Sequence, residues 1–296
     1  MTNQPLRHAA PSLGGVFGSA EYDAHEQVAH FHDRGSGLRA IIAVHSTALG
    51  PALGGRYITA EDVGTTIADM DLLRQVTRHV TGASVELGGS GDPSAATALG
   101  VTCAMRAAAK LTWGDDRLEG RHVVVVGVGK VGSRLARRLH RLGCRLTVAD
   151  VDRQRAGAVA AEVGAPVVEP DAALDVACDL LAPCALSGVL NEKTIPTLRC
   201  RVVVGAANNQ LAAPHCALLL HDRGILYVPD YAANAGGIIN IAGELPGPYD
   251  PERARRDVER IYQTVLTVCA RAAADGSTPA EAADRIAAER IAAARR

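Results

Sequence analysis

Residues 122–152 read HVVVVGVGKVGSRLARRLHRLGCRLTVADVD, and this stretch decides the fold of the chain. It opens with four successive valines at positions 123–126. A run that is wholly apolar and β-branched is typical of a central strand buried on both faces. Three glycines follow at the spacing G-x-G-x-x-G, namely Gly127, Gly129 and Gly132. The pattern predicts a strand that ends in a tight glycine turn.

A helix and a second strand are predicted after the glycines. Leucines recur every three or four residues on one helical face, arginines occupy the other, and Gly143 ends the pattern. Residues 145–149 then form a second apolar strand, with Asp150 at its end. Strand, turn, helix, strand and acid in this order favour a dinucleotide site over a glycine turn that binds no nucleotide.

Each part of this unit has a physical task in binding a dinucleotide. Gly127 allows the tight turn, Gly129 lets the backbone approach a pyrophosphate, and Gly132 lets helix and strand pack closely. The helix N-terminus presents free N–H groups and the positive end of its dipole to the phosphates. The carboxylate of Asp150 can accept hydrogen bonds from a ribose.

The composition excludes several classes of protein. The chain has 296 residues, enough for two domains, with 48% hydrophobic and 21% charged residues and a net charge of -1. We therefore expect no nucleic-acid partner, and no apolar run predicts a membrane span. Seven cysteines without a C-x-x-C pair indicate reduced thiols and a cytoplasmic protein.

The N-terminal part predicts a smaller α/β domain over residues 1–92. Two strand-like runs, 26–32 and 38–45, precede a glycine-rich loop, and a helix is expected over 71–80. His30 and His32 share a strand face without a third ligand nearby, so no metal site is predicted. Ser90 to Pro93 favour a hinge, and Asp92 as N-cap with Pro93 in the first turn predicts the start of a helix over 94–111.

The alternation of strands and helices continues after Asp152. A helix is expected over 153–163, and short strands over 166–168, 179–181, 202–204 and 225–228 end in glycine or polar loops. This order predicts a Rossmann-type, doubly wound parallel sheet over residues 93–270, with its site at the carboxyl ends of the strands. Helices over 252–274 and 279–295 close the chain, and residues 271–296 are expected to return to the first domain.

Five loop motifs carry a family resemblance. They are GPALGG (50–55), GRYITAEDVGT (55–65), APCAL (182–186), ANNQL (207–211) and PDY-x-x-NAGG (229–237). In this order they resemble the glutamate/leucine/phenylalanine/valine dehydrogenases, and among these most closely the leucine dehydrogenases. The resemblance implies NAD-dependent, reversible oxidative deamination of a small L-amino acid by a homo-oligomer.

The resemblance also implies roles for individual residues. Asp62 matches the family's proton-transfer aspartate, although it could also be a helix N-cap. The matching cofactor positions are Gly127, Gly129, Lys130, Val131, Gly132 and Asp150 at the phosphates and ribose, and Thr97, Ala182, Cys184, Asn208 and Asn234 at the nicotinamide. Each of these could instead be an ordinary loop or cap residue. Gly54, Gly55 and Arg56 are the expected substrate-binding residues.

The type of dinucleotide follows from the residues beside the second strand. Asp150 favours NAD over NADP, because a second negative charge would meet the 2′-phosphate. The nearby Arg153 and Arg155 leave NADP open.

One departure from the family concerns catalysis. In the family, GPALGG and GRYITAEDVGT are separated by a block on the order of seventy residues, whereas here Gly55 runs directly into Arg56. That block carries two lysines. One pairs with the substrate carboxylate, and the other activates the water that attacks the imine carbon. The only lysines here are Lys110, Lys130 and Lys193, and nothing in the sequence lets them substitute.

Three functions therefore remain open. The first is an NAD-dependent oxidoreductase with impaired or altered deamination, for which reduction of an imine needs only a hydride and a proton donor. The second is a non-catalytic NAD(H)-binding subunit or regulator. The third is an ordinary leucine dehydrogenase whose gene sequence contains an artefactual deletion. A panel of substrates separates the first two, and resequencing decides the third.

Overall fold

A computed structural model describes residues 27–32, 39–44, 58–61, 65–77, 79–185, 187–245 and 247–294. The chain divides into two units, one of residues 1–58 with 290–296 and one of residues 59–289. In the first unit, strand β1 (Gln27–His32) pairs antiparallel with β2 (Arg39–Val44), and Gln27 lies opposite Val44. Both strands lie within the ranges predicted from sequence. The domain boundaries at 92 and 270 stay predictions.

The second unit is built on a parallel sheet. Within the described residues its strands are β3 (His122–Val126), β4 (Arg145–Ala149), β5 (Leu180–Pro183), β6 (Val202–Val203) and β7 (Leu226–Tyr227). They are ordered β4-β3-β5-β6-β7, and every neighbouring pair is parallel. The predicted doubly wound α/β fold is confirmed.

Helices connect and cover these strands. They are α1 (Ile67–Arg74), α2 (Ser94–Trp113), α3 (Lys130–Arg141), α4 (Arg153–Val163), α5 (Pro170–Ala173), α6 (Cys216–Asp222), α7 (Asp230–Ala233), α8 (Gly236–Ala242), α9 (Pro251–Glu259), α10 (Ile261–Asp275) and α11 (Pro279–Ala294). Short 3₁₀ helices cover Val85–Leu87 and Ile195–Thr197. None of the helices in the described ranges is long and apolar enough to cross a membrane.

The valines of β3 show why the sheet is covered on both faces. Val123 and Val125 pack with the buried side of α2 and α3, whereas Val124 and Val126 pack on the opposite face with Leu220 of α6. Side chains alternate between faces along a strand, so an unbroken apolar run serves two cores at once. Burying one valine side chain contributes about 1.5–3 kcal/mol, and Val123, Val124 and Val125 are completely buried.

The predicted helix over 71–80 is wrong at both ends. Helix α1 begins at Ile67 because Thr66 and Asp69 form a capping box, in which the Thr66 side chain accepts from the Asp69 N–H and the Asp69 carboxylate accepts from the Thr66 N–H. The helix ends at Arg74. The T-x-x-D spacing that starts this helix is visible in the sequence, so local capping chemistry predicts the start better than apolar spacing does.

Two further predictions differ from the structure. Residues 166–168 form no strand, since only a single bridge joins Val167 to Val148 of β4. The predicted helix over 252–274 is divided between α9 and α10. At the division, the Arg260 N–H bonds to the Asp257 carbonyl three residues back, and this tighter turn interrupts the α-helical ladder.

Candidate cofactor-binding site

The site lies where β3 and β5 end side by side. The chain leaves β3 for β4 on one side and later returns to β5 on the other side of β3. Such a reversal opens a crevice at the carboxyl ends of the strands, which is where open α/β sheets bind their ligands. The glycine turn follows β3 directly, so it lies at this crevice.

Two glycines of the turn leave no room for a side chain. Gly127 has φ +95, and a Cβ added there would lie 2.6 Å from the Ala185 Cβ, in the loop after β5. A Cβ on Gly132 would lie 1.9 Å from the Gly127 carbonyl oxygen. Both contacts are far below van der Waals distance, so the turn, α3 and the β5 loop can approach this closely only with glycine.

Gly129 differs from the other two glycines. It precedes α3 as the N-cap, with φ -68, and a Cβ built on it would meet nothing within 4 Å. No side chain caps the N-terminus of α3 with a hydrogen bond. Open space and the uncapped N–H groups of a twelve-residue helix are what a pyrophosphate site requires, and the pyrophosphate itself stays a prediction.

Asp150 lies at the end of β4 beside the turn and is nearly buried. Its Oδ2 accepts from the Val128 N–H at 2.7 Å, and its Oδ1 accepts from the Asp152 N–H at 2.9 Å. The carboxylate therefore holds the glycine turn in place. It also lies where the sequence predicts a ribose. Each carboxylate oxygen has a second lone pair, so these bonds leave capacity for ribose hydroxyl groups.

The two arginines that left NADP open are both bound to carboxylates. An Nη2 of Arg153 lies 2.7 Å from Glu169, and an Nη2 of Arg155 lies 3.0 Å from Asp152. A second nitrogen of Arg155 lies 3.6 Å from Asp150 itself. A 2′-phosphate would have to compete with these acids for the guanidinium groups.

The structure brings together two predicted nicotinamide residues from different loops. The Nδ2 of Asn234, after α7, donates to the Oδ1 of Asn208, after β6, at 2.6 Å. The same Nδ2 lies 3.1 Å from the Ala206 carbonyl. Because Asn208 is exposed and Asn234 is only partly buried, both amides have surface left for a ligand.

The other predicted nicotinamide residues differ in exposure. Thr97 is partly buried in the first turn of α2, and its hydroxyl donates to the Pro93 carbonyl at 3.1 Å. Cys184 follows β5, and burial raises the pKa of its thiol to about 12, so it is protonated at neutral pH. Ala182 is completely buried within β5 and presents no surface to a ligand in this conformation.

Asp230 and Gln210 support this side of the site, and sequence reasoning did not single them out. The Oδ2 of Asp230 accepts from the backbone N–H of Gln210 at 2.8 Å, and its Oδ1 accepts from that of Tyr231 at 2.7 Å. Gln210 is completely buried, with its Nε2 donating to the Ala207 carbonyl at 3.0 Å. These bonds join the loops that carry Asn208 and Asn234. The amides of ANNQL and the acid of PDY are the features of the sequence that could have indicated these two residues.

Lys130 makes a contact that sequence analysis did not predict. Its ammonium contacts the carboxylate of Glu61, which is 69 positions earlier in the chain, and lies 3.3 Å from the Thr65 carbonyl. The Glu61 side chain is 5% exposed and that of Lys130 is 53% exposed. Lys130 therefore joins the phosphate turn to the GRYITAEDVGT segment.

Asp92 forms a second link to α3. It was expected as the N-cap of α2, but Pro93 occupies that position, and the Asp92 carboxylate accepts from the Ser94 N–H at 2.8 Å. Arg134 lies 2.6 Å from its other oxygen. Burial would raise the pKa of Asp92, but the hydrogen bonds from Ser94 and the charges of Arg134 and Lys130 outweigh burial and lower it. Asp92 is therefore ionised at neutral pH.

Four residues predicted for the site lie outside the described residues, namely Asp62, Gly54, Gly55 and Arg56. Val131 follows Lys130 in the first turn of α3 and is partly buried.

The described residues include one group whose donor atoms are close enough to share a metal ion. Glu192, His215 and Cys216 place their donor atoms within 4.8 Å of one another. A hydrogen bond of 2.7 Å between His215 and Glu192 accounts for two of them, and the third is a buried thiol at the start of α6. Ordinary packing explains this group without an ion.

Comparisons with known proteins point to one family. The family model for Glutamate/Leucine/Phenylalanine/Valine dehydrogenase matches residues 88–167 and 147–296. A leucine dehydrogenase of Geobacillus stearothermophilus is 42% identical, over 91% of this chain and 91% of the relative. A valine dehydrogenase of Streptomyces coelicolor is 41% identical, over 93% of this chain and 94% of the relative.

A solved structure shares the fold over almost the whole chain. The crystal structure of L-tryptophan dehydrogenase from Nostoc punctiforme has a TM-score of 0.77 and 34% identity, covering 92% of this chain and 97% of that one. The alignment with the Geobacillus sequence is 336 positions long, which exceeds the 296 residues of this chain. The relative therefore has positions without a counterpart here, although where they fall, and whether both family lysines fall among them, stay predictions.

The matched family model covers more than half of the chain, and curated relatives at about 40% identity cover nine-tenths of it. The chain therefore belongs to the glutamate/leucine/phenylalanine/valine dehydrogenase family.

Proposed function

We propose that this protein is an NAD-dependent oxidoreductase that acts on the CH–NH₂ group of a small amino acid or on the corresponding imine. The observation that carries the proposal is the open, uncapped helix start at Gly129 in the same sheet-end crevice as the loops that carry Asn208 and Asn234. A crevice with a phosphate site and convergent amides is suited to a nicotinamide dinucleotide. Its leucine and valine dehydrogenase relatives support the choice of substrate class.

NAD is the proposed cofactor because of the charges around Asp150. This acid and Asp152 stand together at the end of β4, and Arg155 lies within ion-pair distance of both. A 2′-phosphate would bring further negative charge beside two carboxylates, whereas ribose hydroxyl groups would find acceptors there. We therefore expect affinity for NADH to exceed that for NADPH.

The chain's own residues would bind and orient the cofactor. The first turn of α3 offers its N–H groups to the pyrophosphate, and the Asn208–Asn234 pair offers amide groups to the carboxamide of the nicotinamide. NAD, when bound, supplies the site that accepts or donates the hydride. Asp62 is the proposed partner in proton transfer, because it matches the family's aspartate in GRYITAEDVGT.

The predicted absence of the family lysines leads to a finer proposal about the reaction. Deamination needs an activated water to attack the imine carbon, whereas reduction of a preformed imine needs a hydride and a proton. Asp62 can supply a proton, but two of the three described lysines have other partners, and Lys193 lies in an exposed turn after Asn191. Lys130 is held by Glu61, and Lys110 bonds the Gly114 carbonyl at the far end of α2. We therefore propose imine reduction in preference to deamination.

A substrate panel tests this function. The purified chain is mixed with NADH and, in separate wells, with branched-chain keto acids plus ammonia and with cyclic imines, and absorbance at 340 nm is followed. We expect oxidation of NADH with at least one imine. Tight NADH binding without turnover of any member would favour the alternative function, a non-catalytic NAD(H)-binding subunit.

We also expect the chain to form a homo-oligomer. Several apolar side chains around α1 and the following 3₁₀ helix are exposed, including Leu72 (63%), Val76 (86%) and Val85 (67%). Exposed apolar surface of this kind is commonly covered by a second subunit. Light scattering at micromolar concentration should give at least twice the 30.8 kDa mass of one chain. A monomeric mass would contradict this expectation.

A further inference from the structure

We propose that Lys130 is a positioning residue that fastens the segment carrying Asp62 to the phosphate turn of the cofactor site. The proposal rests on the proposed function, because that function assigns proton transfer to Asp62. It concerns one lysine that contacts residues on both sides of Asp62 in the sequence, Glu61 before it and Thr65 after it.

The contact with Glu61 is specific because of burial. The Glu61 side chain is 5% exposed, and a carboxylate so far removed from water needs a charged or hydrogen-bonding partner. The Lys130 ammonium provides that partner, and its half-exposed stem reaches the carboxylate from the first residue of α3. Loss of the lysine would leave a buried charge uncompensated, so this part of the chain would have to rearrange.

Both ends of this segment, residues 59–66, are bonded to nearby parts of the chain. The Thr59 N–H donates to the His79 carbonyl at 3.0 Å, and the Thr81 N–H donates to the Thr59 carbonyl at 2.8 Å. At the other end, Thr66 is the N-cap of α1. Between these anchors, Lys130 of α3 contacts two described residues of the segment, Glu61 and Thr65.

The placement of Lys130 couples two parts of the chain. It follows Gly129, where the pyrophosphate is expected, so the same turn would hold the cofactor and the proton-transfer segment. Arg134, one helical turn later, holds Asp92 before α2 in a similar way. A displacement of about 1 Å at a reacting group can cost a hundredfold in rate, so this coupling would affect turnover more than cofactor binding.

Replacing Lys130 by methionine tests the proposal, with Lys130→Arg, Glu61→Gln and Lys193→Met as companions. Methionine keeps the length of the stem without its charge, arginine keeps the charge, and Lys193 is an exposed lysine in a remote turn. We expect Lys130→Met to lower kcat for the best panel substrate by about tenfold or more while Kd for NADH changes by less than about threefold. Lys130→Arg should restore most of kcat, and Lys193→Met should match the wild-type chain.

Hydrogen–deuterium exchange provides a readout that does not depend on turnover. Peptides covering residues 58–66 should exchange faster in Lys130→Met than in the wild-type chain, and adding Glu61→Gln to Lys130→Met should reverse part of the change, because the buried charge is then removed. Unchanged exchange in Lys130→Met would overturn the proposal. So would a loss of NADH affinity as large as the loss of kcat, since Lys130 would then serve the cofactor alone.

The two proposals fail in different ways. If the wild-type chain turns over no substrate, the proposed function fails, whereas the exchange experiment still decides whether Lys130 holds the segment. If the wild-type chain is active and Lys130→Met equals it in kcat, the proposed function stands and the positioning role is wrong.

Discussion

Replacing Gly129 by valine is expected to abolish NADH binding while the chain stays folded. The backbone at Gly129 has φ -68, outside the left-handed region that favours glycine, and an added Cβ would meet no protein atom within 4 Å. The substitution therefore costs the folded protein little. The space it fills is the space that a pyrophosphate needs in order to reach the N–H groups of α3.

The loss should be large because the side chain excludes the ligand instead of weakening one contact. We expect Kd for NADH to rise by at least about a hundredfold, since the phosphate contacts at the helix start would all be prevented. The increase in NADH fluorescence on titration measures the affinity, and circular dichroism with thermal melting checks the fold. Unchanged affinity in a folded variant would show that the dinucleotide binds elsewhere.

Two other glycines serve as matched controls for this experiment. Gly157 is exposed on α4, and a Cβ there also meets nothing within 4 Å, so Gly157→Val should remain folded and bind NADH normally. Gly132→Val should instead fail to fold stably, because its Cβ would lie 1.9 Å from the Gly127 carbonyl oxygen. The three variants separate a ligand clash from a general effect of valine and from a backbone clash.

The nucleotide-binding unit could be predicted from sequence because its determinants are local. Strand β4 and helix α4 have the predicted bounds, 145–149 and 153–163. The Asp152 side chain caps α4 by accepting from the Arg155 N–H, and Gly164 ends it with φ +62. Capping residues, glycines and apolar spacing all lie within a few positions of these elements. The bounds of β4 and α4 can therefore be predicted without knowledge of the rest of the fold.

The supporting contacts of the site could not be predicted in the same way. Glu61 and Lys130 are 69 positions apart, and Glu244 accepts from the N–H groups of Gly82 and Ser90, more than 150 positions away. In the sequence, a carboxylate that becomes buried cannot be distinguished from a surface acid, because its partners come close only in the tertiary fold. Long-range pairing of this kind appears only when the elements are packed.

Because the sequence predicts that the two family lysines are absent, oxidative deamination of leucine is expected to be slower than in the Geobacillus leucine dehydrogenase by about three to six orders of magnitude in kcat/KM. Loss of a charge-assisted contact with the substrate carboxylate costs about 1.5–3 kcal/mol, or one to two orders of magnitude in binding. Loss of the lysine that activates water removes general-base assistance, usually worth about 10²–10⁴-fold. The two losses act on different steps, so they multiply.

The described lysines do not offer an obvious replacement. Lys130 is engaged with Glu61, Lys110 bonds Gly114, and Lys193 lies in an exposed turn after Asn191. Arg56, which lies outside the described residues, follows GPALGG and could supply a charge for the carboxylate. A guanidinium stays protonated at neutral pH, so it cannot act as the base. Binding could therefore recover in part, while the activation of water could not.

The deciding measurement follows NADH formation with leucine, valine and phenylalanine at alkaline pH, beside the Geobacillus enzyme under the same conditions. The gene is resequenced first, so that the absence of the two lysines is verified. Robust turnover by the verified chain would contradict the prediction. Trace turnover together with clear reduction of a preformed imine is the expected outcome, because hydride and proton transfer need no activated water.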